Sequence, residues 1–262
     1  MKYFVVTAAL VALASSATAQ ALGSLARVSV IDRDTGAALR TYYSRGEYWV
    51  AGDPGARYAI EIRNCADGRL LAVTSVDGVN VLTGDTAGVN QAGYVFDSGE
   101  RYEISGWRKS NSEVAAFTFT DSRDSYAGRT GRPDSVGVIG IALFREQVRQ
   151  AYAPARVAPA PAPATPPALA EDAANSAAAG ATAALQRSQL GTGHGEREYS
   201  YVVDTQFHRM QPQPNEIIRI RYDSLENLIA MGIVRRPRPT PRLPEPFPGS
   251  EQQRFVPDPP AQ

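Results

Sequence analysis

Six residues carry the side-chain types best suited to ligand chemistry. Trp107 and Arg108 end one apolar run, Tyr126, Arg129 and Arg132 lie in the long polar loop after the next, and His194 sits far downstream among glycines. A guanidinium offers a rigid fork of donors matched to carboxylate or phosphate, and aromatic and Arg side chains are favoured at protein interfaces. Lys109 adds another cation to the cluster. These residues are candidate ligand contacts; the competing reading is a solvated charged loop.

A second grouping has metal-ligand character. Asp77, Asn80 and Asp85 lie beside Gly78 and Gly84, and closely spaced side-chain oxygens around glycines can hold Ca²⁺. The spacing is not that of an EF-hand, and Asp-Gly and Gly-Asp pairs are also ordinary turn chemistry. The two histidines, His194 and His208, stand near Glu196 and Glu198 but match no zinc-ligand spacing. No other cofactor is implied.

Catalytic signatures are sparse. Asp34-Thr35-Gly36 has the form of an aspartic-protease triplet, but that chemistry needs two carboxylates sharing a proton, and neither Asp77-Gly78 nor Asp85-Thr86 has the form of a partner triplet. A turn accounts for it. The chain lacks a Gly-x-Ser-x-Gly elbow, a phosphate-binding Gly-x-x-x-x-Gly-Lys-Ser/Thr, a Gly-x-Gly-x-x-Gly and a His-Glu-x-x-His. The enzyme reading is therefore secondary. Cys65 is the single cysteine, so no intrachain disulfide forms, and it reads as a small half-buried residue at a strand end.

The elements that must position these residues are strands. Residues 57–64 alternate, with Tyr58, Ile60 and Ile62 on one face and Arg57, Glu61 and Arg63 on the other. Residues 69–76 meet Asp77-Gly78, a two-residue hairpin signal, and continue over 79–82. Further runs at 26–31, 38–43, 47–51, 93–96, 101–107, 113–120 and 136–144 are separated by turns about every ten residues, which predicts an antiparallel β-sandwich or partly open barrel. The run at 136–144 is apolar on both faces and should be central. Residues 145–152 read as a short helix.

Composition divides the chain into 1–19, 20–150, 151–186, 187–234 and 235–262. The first segment has Lys2, then an apolar run over 3–14, then Ala17-Thr18-Ala19 before Gln20, the layout of a cleaved secretory leader. The run is too short to span a bilayer. Residues 151–186 form an Ala/Pro-rich linker, and residues 235–262 hold nine prolines and read as a disordered or extended tail. The block 187–234 predicts a small β-β-α unit docked on the sandwich: a flexible turn at 191–195, paired strands at 199–207 and 216–222, and a capped helix from Ser224 to Gly232 carrying Leu225, Leu228 and Ile229.

The 27 Lys and Arg balance 27 Asp and Glu. Proteins that neutralise phosphate backbones need a net positive face, so nucleic acid is not an expected partner. No Cys follows the cleavage point to accept a lipid, no later segment is apolar enough to span a membrane, and the Pro-rich end does not suit an outer-membrane barrel.

Five stretches carry a resemblance: Ser75-Val76-Asp77-Gly78-Val79-Asn80-Val81, Gly106-Trp107-Arg108-Lys109-Ser110, Val136-Gly137-Val138-Ile139-Gly140, residues 190–195 and Arg221-Tyr222-Asp223-Ser224. Together they resemble a set of uncharacterised exported proteobacterial proteins. The resemblance implies an exported two-block chain and brings no activity, ligand or catalytic residue. The resulting expectation is a periplasmic or secreted, non-enzymatic binding module whose partner is a protein or another envelope component. Its rival is an enzyme or sugar carrier with a pocket between the sandwich and the C-terminal unit.

Overall fold

Period-two alternation of apolar and polar side chains dominates this chain, and it builds two sheets that bury their apolar faces against each other. The computed structural model describes residues 21–147 and 189–235. The leader, the linker over 151–186, most of the helix expected at 145–152, and the Pro-rich tail beyond Arg235 lie outside the described residues.

Along the chain the strands are β1 (Ala26–Asp32), β2 (Thr41–Ser44), β3 (Glu47–Gly52), β4 (Arg57–Asn64), β5 (Leu70–Val76), β6 (Val79–Asn80) and β7 (Tyr94–Phe96). They continue as β8 (Arg101–Ile104), β9 (Gly106–Arg108), β10 (Glu113–Asp121), β11 (Val138–Arg145), β12 (Leu190–Tyr199) and β13 (Glu216–Ser224). Two short α-helices, α1 (Tyr126–Arg129) and α2 (Leu225–Ala230), and one 3-10 turn at Pro133–Ser135 complete the list among the described residues. The first sheet is ordered β1-β4-β10-β12, with β8 beside β4 and β9 beside β10. The second is ordered β2-β3-β13-β11-β5-β6, with β7 also on β5. Every pairing is antiparallel except β13 on β3, which is parallel. The fold is thus mainly β, a sandwich without barrel closure. Among the described residues no helix is long and apolar enough to cross a membrane.

The core lies between the sheets. Val28 and Val30, Tyr58, Ile60 and Ile62, and Phe117 and Phe119 project from the first; Val76, Ile139, Ile141, Ile218, Ile220 and Tyr222 project from the second. Each such side chain contributes about 1.5–3 kcal/mol by leaving water. The doubly apolar strand β11 is central, between β13 and β5. Its outward residues Ala142 and Phe144 join Leu71 and Val73 in a second, smaller cluster covered by Phe207. The Arg209 guanidinium sits 4.2 Å over the Phe144 ring and donates to the carbonyls of Val89 and Gln91.

The β5–β6 hairpin turns at Asp77 and Gly78, with φ of +52° and +70°. Positive φ at both centres is the mirror-image turn that matches strand twist.

The C-terminal block is present as a small β-α unit, but its strands are placed differently from expectation. Residues 191–195 are not a flexible turn; they belong to β12 and pair with β10, Gly193 opposite Thr118. Their glycines serve close approach: a Cβ on Gly191 would lie 2.6 Å from Ser125 Cβ, and one on Gly195 would lie 2.8 Å from the Ala116 carbonyl. Of the strand expected at 199–207, only Tyr199 is in a ladder. Nor do the two strands pair with each other. β12 extends the first sheet at β10, whereas β13 fills the slot between β3 and β11 in the second. In that slot β13 is paired along both of its edges. Ser224 caps α2 as predicted, accepting from the Asn227 amide at 3.2 Å, and of its apolar residues only Leu228 is fully buried. At the start of the helix expected over 145–152, Arg145 ends β11 and Glu146 forms a bridge with Arg209, so the chain is extended there.

Candidate ligand-binding surface

Tyr126, the first residue of α1, is held where β9 and β12 present their side chains. Ser125 caps the helix, its hydroxyl accepting from the Gly128 amide at 3.0 Å. The Tyr126 ring packs 4.9 Å from that of Trp107 and lies nearly parallel to the His194 imidazole at 6.1 Å. Lys109 Nζ and the Arg132 guanidinium carbon lie 5.7 and 5.9 Å from the centre of the same ring. Trp107 is itself core, donating from its indole N–H to the Gly193 carbonyl at 3.3 Å and meeting Phe117 edge-on. It anchors the aromatic stack, while Tyr126, Lys109, Arg132 and His194 form its outer part.

The electrostatics of this surface are one-sided. Partial burial, with Lys109 and Arg197 nearby, holds His194 below the ordinary imidazole range. Burial and Arg197 likewise lower Lys109. Arg197 pairs with Glu113 at 3.2 Å, but among the described residues no carboxylate pairs with Lys109, Arg132 or His194.

The structure therefore gathers Trp107, Tyr126, Arg132 and His194. Arg129 is exposed at the end of α1. Arg108 goes elsewhere, because adjacent strand residues point to opposite faces. It donates to the Tyr94 hydroxyl at 3.0 Å and to the carbonyl of Ser200 at 2.5 Å. There it lines a groove of about 630 Å³ between β7 and residues 201–205, along with Tyr102, Asp97 and Glu100.

The proposed calcium residues do not converge. Asn80 Oδ1 accepts from the Leu82 and Thr83 amides, and its Nδ2 donates to Gln91 and the Ala92 carbonyl. Asp85 is exposed, and Asp77 turns inward. Among the described residues, no three or more His, Cys, Asp or Glu side chains are placed to hold a metal ion. Asp34, in the protease-like triplet, is ion-paired with Arg57 at 2.7 Å in an exposed turn. Cys65 is exposed rather than half-buried, because β4 ends one residue before it.

Sequence reasoning missed a buried polar network centred on Asp77. The Asp77 carboxylate is fully buried, and it accepts from the Gly137 amide at 2.9 Å, the Thr192 amide at 2.8 Å and the Tyr222 hydroxyl at 2.5 Å. Thr192 Oγ1 lies 2.6 Å from the Tyr222 hydroxyl and 2.7 Å from that of Tyr58. Each hydroxyl has one proton. With Tyr222 donating to Asp77, Thr192 must donate to Tyr222, and Tyr58 to Thr192. The chain crosses the core from one sheet to the other. Burial pushes Asp77 up to about 6, against the donors that favour its charge. The available signal was Tyr58 itself, on the inward face with Ile60 and Ile62: a buried phenol needs a partner.

Compared with known proteins, this chain matches no family model, no curated protein and no solved structure.

Proposed function

We propose that the chain is an exported, non-enzymatic protein of the cell envelope or its surroundings that holds a macromolecular partner on the Tyr126 surface. The carrying observation is the pair of cations, Lys109 and Arg132, arranged with the His194 imidazole around one aromatic ring and without a carboxylate partner among the described residues. Aromatic anchors beside cationic donors are what binding interfaces concentrate. The leader-like first nineteen residues and the resemblance to exported proteins support the compartment.

The test pairs two measurements. Mass spectrometry of the protein from its native host should find a mature chain starting at Gln20. Affinity purification from the same cells should recover a partner with wild type that is lost with Lys109→Glu plus Arg132→Glu. An unprocessed chain, or an identical set of recovered proteins with the variant, overturns the proposal.

A second reading is favoured by the groove of about 630 Å³ between β7 and residues 201–205, whose tyrosines and carboxylates suit a sugar-like ligand. In that reading the chain is a carrier of, or an enzyme on, cell-wall material. Calorimetric binding of cell-wall oligosaccharides that is lost in Tyr201→Ala would support it, and silence in wild type would remove it.

A further inference from the structure

We infer that the Tyr126 surface is a receptor for a phosphate group carried by its ligand; this rests on the reading of that surface as the contact face. Two cationic side chains and an imidazole lie within about 6 Å of the Tyr126 ring centre, at 5.7, 5.9 and 6.1 Å for Lys109, Arg132 and His194. Arg197 adds a third positive charge, felt at Lys109 and His194. Of Lys109, Arg132, His194 and Arg197, only Arg197 has a carboxylate partner among the described residues, Glu113. Like charges brought together repel one another, and a compact multiply charged anion relieves those repulsions at once. A single carboxylate brings one charge; a phosphate monoester brings nearly two and three acceptor oxygens.

The donors are prepared for such a group. Arg132 is oriented before any ligand arrives, donating to the Gly84 carbonyl at 3.0 Å and the Thr130 hydroxyl at 3.0 Å. Three of its five N–H groups point at these two acceptors, because Nε also donates to Thr130 at 3.3 Å. The Tyr126 hydroxyl has no hydrogen-bond partner among the described residues. It lies beside Gly84, where a Cβ would come within 3.4 Å of it. A free phenol, an oriented guanidinium, an ammonium and an imidazole supply the directional and charged donors that phosphate recognition uses.

The experiment follows the His194 imidazole of the full chain by NMR across pH, at constant ionic strength, with chloride or with inorganic phosphate. Phosphate should raise the His194 titration midpoint, with saturation. Lys109→Gln plus Arg132→Gln should weaken that response by about tenfold, and Tyr126→Phe should weaken it less. These side chains are at the surface, so unchanged melting of the variants establishes that the fold is intact. Sedimentation with vesicles containing phosphatidic acid, but not with neutral vesicles, would assign the phosphate to a lipid; a response to free phosphate alone would assign it to a soluble ligand. A His194 titration unmoved by phosphate, together with no sedimentation on either vesicle, overturns the inference. If the partner is nevertheless lost from the Lys109→Glu, Arg132→Glu variant, the binding reading stands without the phosphate. If phosphate binds while that variant keeps every partner, the phosphate site stands and the binding reading falls.

Discussion

The Asp77 carboxylate accepts the Tyr222 hydroxyl at 2.5 Å across 145 residues of sequence, in the interior between the sheets. The same carboxylate takes the Thr192 amide on the open edge of β12, so one side chain ties the last strand of the first sheet to the middle of the second. Asp223 repeats the device nearby, its Oδ1 accepting from the Leu190 amide at 3.1 Å. Edge strands left unpaired invite association with other chains. Here two carboxylates occupy amides that would otherwise be offered to them.

Asp77 makes stability pH-dependent in a defined direction. Its folded value of about 6 lies above the ordinary 3.8, because burial disfavours the charge. The folded state therefore binds the proton more tightly than the unfolded state. The stabilisation is fully present below about 3.8 and is lost as pH rises through about 6. At 1.36 kcal/mol per unit it amounts to up to about 3 kcal/mol. Denaturant unfolding between pH 4 and 7 should show stability falling with pH, and Asp77→Asn should remove Asp77's part of that slope. The variant should be more destabilised relative to wild type at pH 4 than at pH 7.

Tyr222→Phe and Tyr58→Phe separate the middle of the hydroxyl chain from its end. Without the Tyr222 hydroxyl, Asp77 loses one of its three donors and the Thr192 hydroxyl loses its acceptor, leaving a buried donor unpaired. The expected loss is about 1–3 kcal/mol. Tyr58→Phe removes only a donor at the end of the chain and should cost less. Equal losses would contradict the assigned donor direction.

Arg209 should hold residues 205–210 onto the outer face of the second sheet. It covers Phe144 and ties the loop at Val89 and Gln91 to that segment. Arg209→Ala should destabilise the protein by about 1–2 kcal/mol and raise amide exchange locally around Phe207. Exchange that rises uniformly would assign the effect to the whole fold instead.

Cys65 is exposed just past the end of β4. A thiol reagent should modify it in the native protein about as fast as a free cysteine, without shifting the unfolding midpoint. Protection until unfolding would place it in a different environment.

Most of the sandwich was legible because alternation states the buried face directly: Tyr58, Ile60 and Ile62 point inward as their spacing requires. The central place of β11 was legible from its two apolar faces. β12 was not, because glycine carries no pattern. Its glycines mark close packing against Ser125, Val136 and Ala116, which local sequence cannot distinguish from a flexible turn. The candidate surface was legible as a set of residue types, and four of its six members meet. Arg108 left the set for a reason visible in any strand, its opposite parity to Trp107. Asp77 illustrates a harder case: an Asp-Gly turn gives away its backbone geometry, while the partners of its carboxylate come from residues 137, 192 and 222.

The insertion of β13 between β3 and β11 bears on how the molecule comes into being. Until residues 216–224 have been synthesised, β3 and β11 lack their common neighbour. A nascent chain stopped at residue 147 carries most of the hydrophobic core residues but not the strand that joins them. Such distant pairings close slowly, since the loop entropy is lost before any contact is gained. Maturation of this sandwich is therefore gated by its last strand, and the interval before that strand arrives is when the chain is most open to association with other chains.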